Sequence, residues 1–159
     1  MNTSALAAAI ADHWDSGIVD QLIDYVRIPA KSPHFDPDWE GNGHIERVIR
    51  LAEAWVRAQP VRGLDVEIVR LPGRTPVLLF VVPATGGDAG EGTVLVYGHL
   101  DKQPEMSGWR EGLGPWTPVL EDGKLNAVDS AQLIKCEFQS PGGEHIDFDE
   151  SLPAFIVRP

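Results

Sequence analysis

Two short runs constrain the fold more than anything else in the chain. Residues 77–82 (Val-Leu-Leu-Phe-Val-Val) and 93–97 (Thr-Val-Leu-Val-Tyr) are apolar on both faces and bounded by glycine or proline. A strand without a polar face has to be covered on both sides, as in a sheet lying between helices. Two amphipathic helices precede these runs. Ile10, Trp14, Ile18, Leu22, Tyr25 and Val26 recur at three- and four-residue steps, with Asp15-Ser16-Gly17 as a break or cap, and Pro29 ends the pattern. Ile45, Val48, Ile49, Ala52 and Val56 form a second apolar stripe opposite Glu46, Arg47, Arg50, Glu53 and Arg57, and Pro60 stops it. The expected fold class is therefore α/β: a mixed or mostly parallel sheet flanked by helices. Residues 77–82 and 93–97 are expected to be neighbouring central strands, with the helices around residues 18–27 and 45–58 packed on the sheet.

Between the helices, residues 31–43 are rich in proline, glycine, aspartate and asparagine and read as a loop. After Gly63 the period changes to two, Leu64, Val66 and Ile68 alternating with Asp65, Glu67 and Val69, which predicts a half-buried edge strand. Four glycines in residues 85–92 predict the turn between the two apolar runs. Beyond Leu125 the pattern weakens. Residues 126–159 carry six acids, two bases and scattered apolar positions such as Leu133, Ile134 and Phe138. With 159 residues there is material for one core, so the division expected is residues 1–125 as the folded unit and 126–159 as a divergent tail.

Charge narrows the partners. The 24 acidic against 13 basic side chains give a net charge of -11, the wrong sign for phosphate backbones or anionic lipid, so neither nucleic acid nor membrane is expected as a partner. The lone Cys136 forms no intrachain disulfide, and no positive charge precedes the alanines of residues 5–9. Both features favour a cytoplasmic setting.

The chemistry concentrates after the second apolar run, in Gly98-His99-Leu100-Asp101. Open α/β sheets place ligands at the carboxyl ends of their strands. In extended backbone His99 and Asp101 project to the same side, so the carboxylate can orient the imidazole while the other ring nitrogen binds a metal. The same spacing also fits a polar strand end followed by a turn.

The residues that follow form an ordered series: Asp101-Lys102-Gln103-Pro104, Gly108-Trp109, Gly112-Leu113-Gly114-Pro115-Trp116-Thr117-Pro118, then Asp122-Gly123-Lys124-Leu125. This series resembles the M20 metallopeptidases, the group of carnosinase-type dipeptidases, carboxypeptidase G2 and related deacylases, with the dipeptidase branch nearest. The resemblance covers about residues 18–125. It implies a partial zinc-peptidase-like catalytic domain. It further implies His99 as a ligand of one zinc in a two-metal site, Asp101 as the catalytic-site carboxylate that holds it, and hydrolysis of a peptide or amide bond in a small peptide or N-acyl amino acid. It assigns no role to Lys102, Glu105, Trp109 or Trp116, which are expected to pack or to face solvent.

After Leu125 the chain departs from that pattern. The family continues with tyrosine-glycine-arginine-glycine and then a metal-bridging aspartate, whereas here Asn126-Ala127-Val128-Asp129 follows and Gln132 occupies the bridging position. Asp129 and the pair His145 and Asp147 are the remaining ligand candidates in the tail. The expectation is a chain that is incomplete for catalysis, the alternative being a catalytically inactive α/β fragment or binding module. His13, His34 and His44 are expected to be solvated, and Trp14 and Trp55 to pack.

Overall fold

The computed structural model describes residues 3–84, 95–122 and 124–126, and the backbone of residues 137–139. Helix α1 (Thr3–His13) runs through a π-helical turn (Trp14–Ile18) into α2 (Val19–Val26). The break expected at Asp15-Ser16-Gly17 is thus a widening of one continuous helix: the flanking His13 and Val19 are both right-handed helical, and no side chain caps the junction. A short helix α3 (Trp39–Asn42) sits in the expected loop, and α4 (His44–Arg57) follows at once. Gly43 makes that junction at φ 71, in the left-handed region that glycine adopts without steric penalty, and the Asn42 side chain accepts the His44 N–H at 2.9 Å.

Helix α4 buries the expected stripe, with Ile45, Val48 and Ile49 inside. It packs against β1 (Asp65–Val69) and β2 (Val77–Val81) and touches α2. Arg57 ties its last turn to β1 by donating to the Val66 carbonyl at 2.7 Å. Strand β1 has the expected alternation, Val66 buried and Asp65 and Glu67 exposed. The core of the described residues is Tyr25, Val26, Ile28, Ala30, Ile45 and Val48, with Trp39, Leu51, Leu100 and Trp116 packed around it.

The sheet differs from expectation. Strand β2 pairs antiparallel with β1 in the register Val66↔Phe80 and Ile68↔Leu78, while β3 (Leu95–Tyr97) pairs antiparallel with β6 (Glu137–Gln139). The two apolar runs are therefore not neighbouring central strands, and the pairs described are antiparallel rather than parallel. Seven residues join β1 to β2, fewer than the dozen or so that a parallel crossover needs. The turn includes an Arg74 N–H donated to the Leu71 carbonyl and Gly73 at φ 68.

The apolar runs are not covered on both faces, and Phe80, opposite Val66, is itself 51% exposed. Val77, Leu79 and Val81 lie opposite Val69, Glu67 and Asp65, on the face away from Val66 and Ile68. They are about half exposed, as are Leu95, Val96 and Tyr97 of β3. What the structure shows is a mixed α/β arrangement of helices with small antiparallel sheets. The turn expected over 85–92, the start of the second run at 93–94, and most of the tail, including Cys136, lie outside the described residues.

A third antiparallel pair, β4 (Val119–Glu121) and β5 (Lys124–Asn126), carries the Asp122-Gly123 dipeptide between its strands. Asp122 has φ 50, the positive angle that hairpin turns of this composition require. Among the described residues, no helix is long and apolar enough to cross a membrane.

Candidate functional site

The site is built where the chain leaves β3. Gly98 follows the last residue of the strand, and His99, Leu100 and Asp101 come directly after it. The structure brings the pair together: His99 Nδ1 lies 3.1 Å from Asp101 Oδ1 and 3.1 Å from the Asp101 carbonyl oxygen. Both partners accept, so Nδ1 carries the proton in this contact, and in the neutral ring the lone pair is then on Nε2. The side chains are about one-third exposed, 30% and 33%. An imidazole oriented by a carboxylate through one nitrogen presents the other as a metal ligand or proton acceptor.

The segment bearing this pair is held by the end of α2. Pro29 supplies no N–H, so the Tyr25 carbonyl four residues earlier lacks the donor that a continuing helix would give it. The Ile28 N–H reaches it at 3.1 Å, and so does a distant side chain. Lys102 Nζ donates to the carbonyls of Tyr25 at 2.5 Å, Val26 at 3.3 Å and Ile28 at 2.5 Å. It also lies 4.1 Å from the centroid of the Tyr25 ring and 5.3 Å from that of Trp116, within cation–π range. Lys102 is 8% exposed and is the buried charged residue of the described core.

Burial pushes the Lys102 amine down to about 7. Three carbonyl acceptors and the negative end of α2 act in the opposite direction, favouring its proton. Tyr25 completes the junction by donating its hydroxyl to the Leu100 carbonyl at 3.0 Å. Its burial, and then the negative charge of Asp101, raise the phenol above its usual value, so the hydroxyl stays a donor.

Backbone pairing closes the junction. Lys102 N–H donates to the Ala30 carbonyl and Ser32 N–H to the Lys102 carbonyl, both at 2.9 Å, making a parallel bridge between residues 31 and 102. At the rim Lys31 pairs with Glu105 at 3.1 Å. Glu105 is held below its ordinary value by its own backbone N–H and then by Lys31. A turn over residues 114–117, with Thr117 N–H donating to the Gly114 carbonyl at 3.1 Å, brings Trp116 beside Lys102.

Sequence reasoning thus placed His99 and Asp101 side by side but missed the part Lys102 plays. The signal available was the proline after α2, which announces unsatisfied carbonyls without saying what reaches them. The other described histidines make local contacts of their own. His34 packs edge-on against Phe35, His13 lies beside the Trp55 ring, and His44 starts α4.

The described residues fall short of a complete metal centre. They supply one imidazole with its orienting carboxylate, and among them no group of three or more His, Cys, Asp or Glu is gathered to hold an ion. Asp129, Gln132, His145 and Asp147 lie outside the described residues. No model of a known protein family matches the chain.

Proposed function

We propose that this chain carries the amino-terminal part of a zinc-dependent, M20-type metallohydrolase. The reaction is cleavage of a peptide or amide bond in a small dipeptide-like substrate or N-acyl amino acid. The observation that supports this most directly is the His99–Asp101 hydrogen bond immediately after β3, which leaves Nε2 as the ligand atom. The ordered series from Asp101 to Leu125 supports it independently. Zinc, when bound, supplies Lewis-acid polarisation of the scissile carbonyl and an acidic bound water. In this reading His99 holds the ion, and Asp101 fixes the imidazole's tautomer and direction. The finer fold belongs to the same proposal, as part of a zinc-peptidase-like catalytic domain.

One imidazole is short of the roughly three protein ligands that catalytic zinc uses. The chain is therefore expected to bind zinc at micromolar or weaker affinity and to show no turnover of dipeptides or N-acyl amino acids with zinc, manganese or cobalt. Calorimetric zinc titration of the purified chain against His99→Ala tests the assignment. Binding that weakens in the variant supports it, and binding that His99→Ala leaves unchanged removes the basis for a metal role. Metal-dependent turnover that vanishes in His99→Ala would show instead that the tail completes the centre, with Asp129, His145 and Asp147 the first residues to replace.

A further inference from the structure

The acid of the candidate pair sits between two tethered residues. On one side the Leu100 carbonyl accepts the Tyr25 hydroxyl. On the other, Lys102 is fixed three times over: through its N–H to Ala30, through its carbonyl to Ser32, and through its Nζ to the closing carbonyls of α2. Among the described residues Asp101 hydrogen-bonds within the loop, to His99. The direction of its carboxylate is thus inherited from its neighbours, chiefly from a side chain that reaches 77 residues back along the chain.

We infer that Lys102 is the positioning residue of the His99–Asp101 pair, its buried side chain locking the strand end to the carboxyl terminus of α2 so that the carboxylate meets His99 Nδ1. The metal role rests on the function proposed above, but the geometry does not. A lysine serving only to fill space would need a long stem and no convergent acceptors. Here three backbone carbonyls converge on Nζ and two aromatic rings wall it in. Buried polar groups so fully satisfied specify a single arrangement. Without the lock residue 102 keeps its two backbone bonds but loses the anchor into the core. Asp101 can then swing away, and His99 reverts to the Nε2–H tautomer that an unconstrained neutral imidazole favours.

Imidazole nitrogen chemical shifts read this in the metal-free full chain, at a pH where the ring is neutral, with His99→Ala identifying the His99 signals among the five histidines. The unmodified chain is expected to show His99 mainly as the Nδ1–H form. Lys102→Met and Lys102→Gln remove the amine that reaches the three carbonyls. Whichever keeps its helical circular dichroism should show a shift toward Nε2–H and an about tenfold weaker zinc affinity. Replacing Lys31, which pairs with Glu105 at the exposed rim, by Met should leave the tautomer as it was. An unchanged tautomer in a folded Lys102 variant overturns the inference, and so does loss of helicity in both variants, which makes Lys102 a residue of the fold alone. A shifted tautomer in a chain whose zinc binding ignores His99 leaves the positioning role standing and removes the metal reading instead.

Discussion

Tyr25 shows how much one hydroxyl joins. Its ring is buried in the core while its oxygen reaches the Leu100 carbonyl across 75 residues of sequence. Tyr25→Phe keeps the ring and removes the bond, leaving a half-buried carbonyl short of a donor. A loss of about 1–2 kcal/mol is expected, read as a lower urea midpoint with an unchanged slope. On the other side of the site, Asp101→Asn offers His99 an amide in place of a carboxylate. On the proposed reading it weakens zinc binding by about 10–100-fold with little change in stability, since Asp101 is about one-third exposed. Calorimetry and a denaturation curve on the same sample check both halves. His99 and Asp101 were legible in the sequence because two residues at spacing two on extended backbone must share a side. Lys102 was not, because its partners are carbonyls, which every residue carries and no sequence pattern marks.

Among the elements, α4 and β2 set the contrast. The apolar stripe of α4 was legible because a 3.6-residue period leaves only one face to bury, and Ile49 is 5% exposed. Ile49→Ala should cost about 2–5 kcal/mol. Strand β2 is just as apolar, yet Leu79 is 47% exposed and lies opposite Glu67 on the uncovered face. Leu79→Thr is therefore expected to change stability by no more than about 0.5 kcal/mol. Equal losses at Ile49 and Leu79, measured by urea unfolding, would mean that the second face of β2 is covered after all. Hydrophobicity on both faces of a run predicts cover, but which faces receive it depends on pairing partners and register. The seven-residue connection to β1 selects an antiparallel partner whose far face is acidic.

At the scale of the whole molecule the net charge of -11 stands, but among the described residues several carboxylates are held in ion pairs. Glu46 is held low: partial burial opposes this, but hydrogen bonds from Arg70 and Arg50 prevail. Glu53 is lowered by Arg50 and then Arg57, and Glu105 by its own backbone N–H and then Lys31. A carboxylate lowered in the folded state contributes stability that is present above its unfolded value, 4.5 for each of these, and is lost as pH falls through the folded value. Unfolding midpoints should therefore decline below about pH 4.5 as these carboxylates are protonated. Because these pairs are solvent-exposed, 0.5 M salt should blunt the decline.

The amino-acid sequence by itself determined the two amphipathic helical stripes, the alternation of β1 and the adjacency of His99 and Asp101, because each follows from a period or spacing along one stretch of backbone. The partners of the strands, the exposure of β2 and β3, and the seating of Lys102 were decided only by tertiary structure. Each of these depends on bringing together segments far apart in sequence: residue 102 with the end of α2, β3 with β6, and α4 with one face of the β1–β2 hairpin. A local pattern states that a surface or a carbonyl needs a partner. The fold supplies the partner, since its identity is set by loop lengths, register and the shape of the core together.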